Sequence, residues 1–333
     1  MAVNNELIKD DLYEAVNGEW LKTAKIPDDK PATGGFNDLV DEIDKQLMDD
    51  FDAYAAGKEK SDDSRFNEMI KLYRLAKKFD WRKKVGPQPL KRMLASVENL
   101  NSYEDYQSQW KNWILAGMPS PISFDIDADM KNATVYALFA SSPSLILPDK
   151  SYYEAEKKAQ HDQLLQLWSS MVEALMDKLG YSKEEAKKII DDAIKFDALL
   201  APNVKSAEEA ADYSKMYNPQ TVAELASATD QLDIAAIIKQ LVGEEPEKII
   251  VTEPEYFKAL NKILQDNFEL FKNWALIRVI RENASYLDDE MREINGRYGR
   301  ALSGSKKPVS QRKFAFYLAR DMFSQVAGDY YGK

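Results

Sequence analysis

Apolar positions recur every three or four residues along most of the chain. Leu39, Ile43, Leu47, Phe51 and Tyr54 fall on one stripe while Asp41, Glu42, Asp44 and Asp49 lie off it, the pattern of a helix with one buried face. Phe66, Ile70 and Tyr73 repeat it. The same period predicts helices over Leu90 to Leu100, Tyr103 to Leu115, Leu164 to Leu179, Ala186 to Leu200, Ile234 to Leu241, Tyr256 to Leu264, and a long run from Phe268 to about Tyr298. Three starts carry a capping box, in which a hydroxyl oxygen accepts from an orphan amide and a glutamate three residues on reaches back: Ser182 with Glu185, Ser206 with Glu209, Thr221 with Glu224. Gly180 stands where a glycine stop ends a helix.

One segment leaves the helical period. In PISFDIDADMKNATVYALFAS the runs Ile122 to Ile126 and Thr134 to Phe139 are rich in β-branched and aromatic residues and flank a polar turn, Asp127 to Asn132, which predicts a small β-hairpin. Lys248 to Val251 is a second candidate strand, ended by Thr252 and Pro254. No internal repeat of fixed period is visible. The fold class is therefore mainly α with a minor sheet. At 333 residues, about two domains are expected.

Charge narrows the partners. A net charge of −11, from 56 acidic and 45 basic residues, argues against nucleic acid and anionic membranes, which need clustered positive charge. With no cysteine, neither a disulfide frame nor a cysteine-based zinc site can form, and a reducing, cytoplasmic location is expected. MAVNNELIKDD has no signal-peptide character, and nothing approaches the roughly 20 apolar residues of a membrane span, so the chain reads as soluble.

Candidate chemistry is thin. The single histidine, His161, cannot form the His-Glu-x-x-His pair that grips a catalytic zinc. His161 and Asp162 are neighbours in sequence and are not expected to face each other on a helix. There is no Gly-x-Ser-x-Gly elbow and neither common phosphate-binding glycine motif. The acidic pairs Asp28/Asp29, Asp191/Asp192 and Asp288/Asp289 read as solvated faces, and Trp110, Trp113, Trp168 and Trp274 fall on apolar stripes, as core residues do. Asp52 to Ser64 and Ala301 to Lys313 read as exposed loops. No catalytic residue and no metal ligand is assigned.

The opening stretch YEAVNGEWLKTAKIPDDKPATGGFNDL holds an aromatic, then Val-Asn-Gly-x-Trp, then Ile-Pro, then Gly-x-Phe-x-x-Leu, through Tyr13, Val16, Asn17, Gly18, Trp20, Ile26, Pro27, Gly34, Phe36 and Leu39. It resembles the N-terminal signature of the M13, neprilysin-like, zinc metallopeptidases. SLILPDKSYY resembles their Leu-x-Leu-Pro-x-x-x-Tyr-Tyr segment through Leu145, Leu147, Pro148, Tyr152 and Tyr153. TEPEYFKALNKIL, LFKNWALIRVI and LDDEMREINGRYGRALSG look like the close of the same region, through Glu253 to Gly304. The absence of cysteines makes the chain most similar to the oligopeptidase O branch of lactic acid bacteria.

The resemblance implies a multi-helical N-terminal region that covers a zinc endopeptidase's active site and admits only oligopeptides. Residues 1–40 are expected to be a strap packing on the catalytic domain, and 41–333 a helical, non-catalytic lid. The thermolysin-like catalytic domain, with its His-Glu-x-x-His motif and zinc, is absent from these residues, so the chain is expected to be inactive alone and its partner to be that domain. A tight Asn17-Gly18 turn, a Trp20 anchor and Pro27 would set the strap's path, with Gly34 and Gly35 supplying unusual backbone angles. Animal members engage a substrate carboxylate with arginines in and just after the Gly-x-Phe stretch; the corresponding positions here are Ala32 and Val40, leaving Phe36 and Asn37 as the substrate-binding candidates. The alternative is a helical protein- or peptide-binding module with no enzymatic role.

Overall fold

The computed structural model describes residues 3–229 and 232–332. They form two compact units: residues 1–84 with 296–333, and residues 85–295. Mainly α is the observed class, with 18 α-helices and a four-stranded sheet among the described residues.

The first unit is built from both ends of the chain. Its N-terminal part comprises α1 (Leu12–Leu21), α2 (Gly35–Ala55), α3 (Ser64–Ala76) and α4 (Phe79–Val85). α2 buries the end of the stripe read from the sequence, with Phe51 in a core with Phe66, Met69, Ile70 and Tyr73 of α3. That core is completed by Ala315, Phe316, Ala319 and Val326, from the end of the chain. The Phe51 ring meets Phe316 edge-on at 5.2 Å and Tyr73 at 5.5 Å, the geometry that ring quadrupoles prefer. Above it Asp52 accepts from Tyr73 Oη (2.8 Å), from Arg312 Nε (2.8 Å) and from Lys77, tying the two ends of the chain together.

Two local expectations fail here. Asn17-Gly18 is no turn: Asp11 caps α1 by accepting from the Glu14 amide (2.9 Å), and the helix runs through both residues, with Asn17 Nδ2 donating to Tyr13 O (3.0 Å). Gly34 is extended (φ 166°) and Gly35 opens α2, so neither needs glycine's freedom.

The second unit opens with α5 (Gln88–Glu98) and α6 (Tyr103–Leu115), then the hairpin β1 (Ser123–Asp129) and β2 (Asn132–Ser141). Next come α7 (Lys158–Leu179), α8 (Lys183–Leu200), α9 (Ala207–Ala211), α10 (Tyr213–Met216), β3 (Pro219–Gln220), α11 (Val222–Ala228), α12 (Ile234–Val242) and β4 (Ile249–Val251). It closes with α13 (Pro254–Asp266), α14 (Phe268–Leu287) and α15 (Asp289–Asn295); α16 (Arg297–Ser303), α17 (Gln311–Met322) and α18 (Ser324–Tyr331) return to the first unit. All three capping boxes are present, and Gly180 ends α7 in the left-handed region at φ 92°. The tryptophans of the apolar stripes are buried.

The long run from Phe268 is not one helix. Asp288 leaves helical geometry, and its carboxylate accepts from the Met291 amide (2.8 Å), ending α14 and starting α15. α14 is no surface helix either: Phe271, Trp274, Ala275, Ile277, Val279 and Ile280 are buried around its circumference.

The hairpin is longer than its apolar runs, with only Met130 and Lys131 between the strands. Asp127 and Asp129 sit in β1 rather than in a turn. Asp125 and Asp127 accept from the following amides, Ile126 and Ala128 (2.8 and 2.7 Å), so carboxylates blunt the sheet's edge strand. Asp129 is buried and accepts from the Lys131 amide (2.8 Å), Tyr217 Oη (3.2 Å) and Lys248, which hold its carboxyl down at about 2, the lysine bond first. The sheet order is β1-β2-β4-β3: β2 pairs antiparallel with β1 and parallel with β4, with Phe139 opposite Ile250, and β3 pairs antiparallel with β4.

Candidate functional site

The segment from α1 into α2 is moored at its backbone and leaves its apolar side chains outside. After α1, the amides of Thr23 and Ala24 return to Trp20 O (3.0 and 2.8 Å), and Pro27 opens a turn closed by the Lys30 amide (3.0 Å). The carbonyl of Asp28, inside that turn, accepts from the amides of both Lys306 and Lys307 (2.7 and 2.8 Å). Asp41 accepts from Lys30 (2.5 Å) and Lys313 (3.4 Å), two mostly buried lysines, which hold its carboxyl below the usual range against the opposing effect of burial. The loop before α17 thus clamps the turn.

Side chains on this moored segment point outward. Phe36, on the first turn of α2, is 88% exposed, and Ile26 is 56% exposed; Leu12, Tyr13, Leu21, Leu39 and Val40 are exposed as well. Asn37 is half-buried, one residue further along α2. Trp20 is half-buried, and neither it nor Ile26 belongs to the core. Single exposed apolar residues are ordinary on protein surfaces; this many on one anchored stretch is the unusual feature.

Other sequence candidates are spoken for. His161 does approach Asp162, contrary to expectation, with Nδ1 2.9 Å from Oδ1. Lys158 takes the same carboxylate at 2.9 Å, so the group is a surface charge network at the start of α7. The acidic pairs are divided among separate partners: Asp28 faces Lys307, Asp191 faces Lys187, Asp192 faces Lys188 and Asn273, and Asp289 faces Arg292. No two such carboxylates share a site. Among the described residues no group of three or more His, Cys, Asp or Glu side chains could hold a metal ion.

Of the buried carboxylates not singled out from the sequence, two join distant segments. Glu253 accepts from the amides of Ser142 (3.1 Å) and Lys205 (2.7 Å), joining two distant loops. Asp197 accepts from the Ile146 amide (3.0 Å) and from Tyr153 Oη, fastening SLILPDKSYY to α8. Burial raises the Asp197 carboxyl to about 6, against the Tyr153 and Ile146 bonds that favour its charge. A signal existed: Asp197 takes an apolar position in the stripe Ile190, Ala193, Asp197, Leu200. Asp149 of the same segment accepts from the amides of Ser151 (2.9 Å) and Ala207 (2.6 Å), and Tyr256 Oη donates to Pro121 O (2.6 Å). Tyr153, which carried the resemblance, and Glu253 and Tyr256 of the closing region are thus staples between segments.

Comparison with known proteins agrees with this architecture. The neutral endopeptidase of Lactococcus lactis is 36% identical over 328 residues, 98% of this chain and 52% of its own length. The crystal structure of PEPO from Lactobacillus rhamnosis superposes with a TM-score of 0.89 at 29% identity, over 98% of this chain and 51% of that one. The zinc metalloprotease Zmp1 of Mycobacterium tuberculosis, at 24% identity and a TM-score of 0.85 over 97% of this chain and 50% of that one, shares the fold. The chain spans about half the length of the curated relatives it matches. The profile of peptidase family M13 matches residues 8–333, and the chain belongs to that family as its N-terminal region.

Proposed function

We propose that these residues are the non-catalytic half of a cytoplasmic zinc metalloendopeptidase, that they enclose its active site, and that they restrict its substrates to oligopeptides. The observation that carries this reading is the moored N-terminal segment with Ile26, Phe36, Leu39 and Val40 left outside the core. A surface held so firmly and left so apolar suits a strap, residues 1–40, packed against a catalytic domain, with 41–333 as the lid. That domain would carry His-Glu-x-x-His and the zinc that polarises the scissile carbonyl and activates water. Phe36 and Asn37 would line the distal part of the substrate path. With Ala32 and Val40 at the positions of the animal enzymes' arginines, no charge clamp is supplied here, and internal cleavage of oligopeptides is the expected action.

The test starts by reading the coding sequence past Lys333 for His-Glu-x-x-His and expressing that product beside residues 1–333. Cleavage of an oligopeptide should require the catalytic half. Phe36→Ala and Ile26→Ala should leave the stability of residues 1–333 within about 0.5 kcal/mol, as surface changes do, yet weaken association of the two halves. Stoichiometric zinc or chelator-sensitive cleavage by residues 1–333 alone would overturn the reading.

A further inference from the structure

The second unit holds a hollow of about 210 Å³ lined by α7, α8, α14 and the segment 144–146. Trp168 and Trp274 supply indole faces, Ala193 and Ile277 aliphatic surface, and Arg278 and Arg281 positive charge. A second hollow also borders on Ser144, Arg278 and Glu282, so Arg278 lies where the two meet.

The polar groups here are mostly donors. Trp168 is 1% exposed, and its Nε1 is packed inside the wall without a hydrogen-bond partner. The Arg278 guanidinium lies over the Trp274 ring at 4.7 Å and donates to Ser144 O (3.0 Å), Ser144 Oγ (3.3 Å) and Glu282 Oε1 (3.3 Å). Those bonds use Nε and one hydrogen on each terminal nitrogen, leaving a further hydrogen on each. Glu282, whose side chain is 47% exposed, is the acidic member of the lining. In a chain of net charge −11, the lining of this hollow sets two arginines against one carboxylate.

We propose that this hollow binds a small carboxylate bearing a compact apolar group, with the carboxylate on Arg278 and the apolar group against Trp168 and Ile277. Each remaining guanidinium hydrogen can give a charge-assisted hydrogen bond to a carboxylate oxygen, and the cavity has room for several waters' volume, the scale of one amino-acid residue. A free acid and the C-terminal residue of a peptide share this chemistry. The inference stands apart from the peptidase reading.

The test titrates the full chain with N-acetyl-leucine, Gly-Gly-Leu and N-acetyl-leucinamide, reading tryptophan fluorescence, since Trp168 and Trp274 line the site. The acid should give a saturable change at pH 7 and the amide none; saturation by Gly-Gly-Leu as well identifies the peptide source, and by N-acetyl-leucine alone the free acid. Arg278→Gln should weaken binding about tenfold or more, and Trp168→Phe about fivefold, through loss of indole surface against the apolar group. Glu282→Gln, at an exposed position that leaves folding undisturbed, should tighten it by removing a competing charge. Should Arg278→Gln fail to fold, Trp168→Phe and Glu282→Gln carry the test. Equal binding of acid and amide, no saturation by either acid, or a response indifferent to both Trp168→Phe and Glu282→Gln would overturn the proposal.

Discussion

Asp197 shows how one side chain couples packing to pH. It is fully buried, and its carboxyl is raised from the ordinary 3.8 to about 6 by that burial. Below 3.8 the folded and unfolded chains both hold the proton; between 3.8 and about 6 only the folded chain does, so stability falls as pH rises through this window and the loss is complete above it. The contribution is at most about 3 kcal/mol. Asp197→Asn keeps an acceptor for the Ile146 amide and Tyr153 Oη without the charge, so its unfolding free energy should lack this slope. Urea denaturation of both proteins across the window checks it, and an identical slope in the variant would assign the effect elsewhere. Asp129, held at about 2, and Glu209, held at about 2 chiefly by Lys150, act with the opposite sign and at lower pH.

At the scale of elements, ends are set locally and paths are set at a distance. The boxes at Ser182, Ser206 and Thr221 form because each needs only residues within one turn. Gly180 ends α7 at φ 92°, so Gly180→Ala should destabilise the chain by about 1 kcal/mol in thermal or urea unfolding; an unchanged midpoint would mean the end relaxes. Asn17-Gly18 failed as a turn because the Asp11 cap and the Asn17 bond to Tyr13 O outweigh glycine's local preference. β4 was legible as a strand, but its parallel partner β2 lies more than a hundred residues away, and no pattern within three residues names it.

For the whole molecule, the first unit's core depends on both ends of the chain. Phe316 is fully buried, its ring edge-on to Phe51. Phe316→Ala should cost about 3–5 kcal/mol, and in calorimetry should lower the transition of the first unit while leaving that of the second in place. A common shift of all transitions would show that the two units unfold together.

Periodicity, capping chemistry and composition determined the helices, the hairpin and the absence of familiar catalytic motifs, because each depends on residues close in sequence. Ordered motifs also carried the family, without revealing that Tyr153, Glu253 and Tyr256 staple distant segments. Tertiary structure alone decided that residues 296–333 complete a core begun by residues 1–84, that α14 is buried around its circumference, and that Glu253 is a buried carboxylate. It also left Phe36 in solvent while tying the Pro27–Lys30 turn that precedes it to Lys306 and Lys307. The reason is physical: a side chain's burial and charge state depend on what the rest of the chain brings against it, and local pattern constrains only the face it shows.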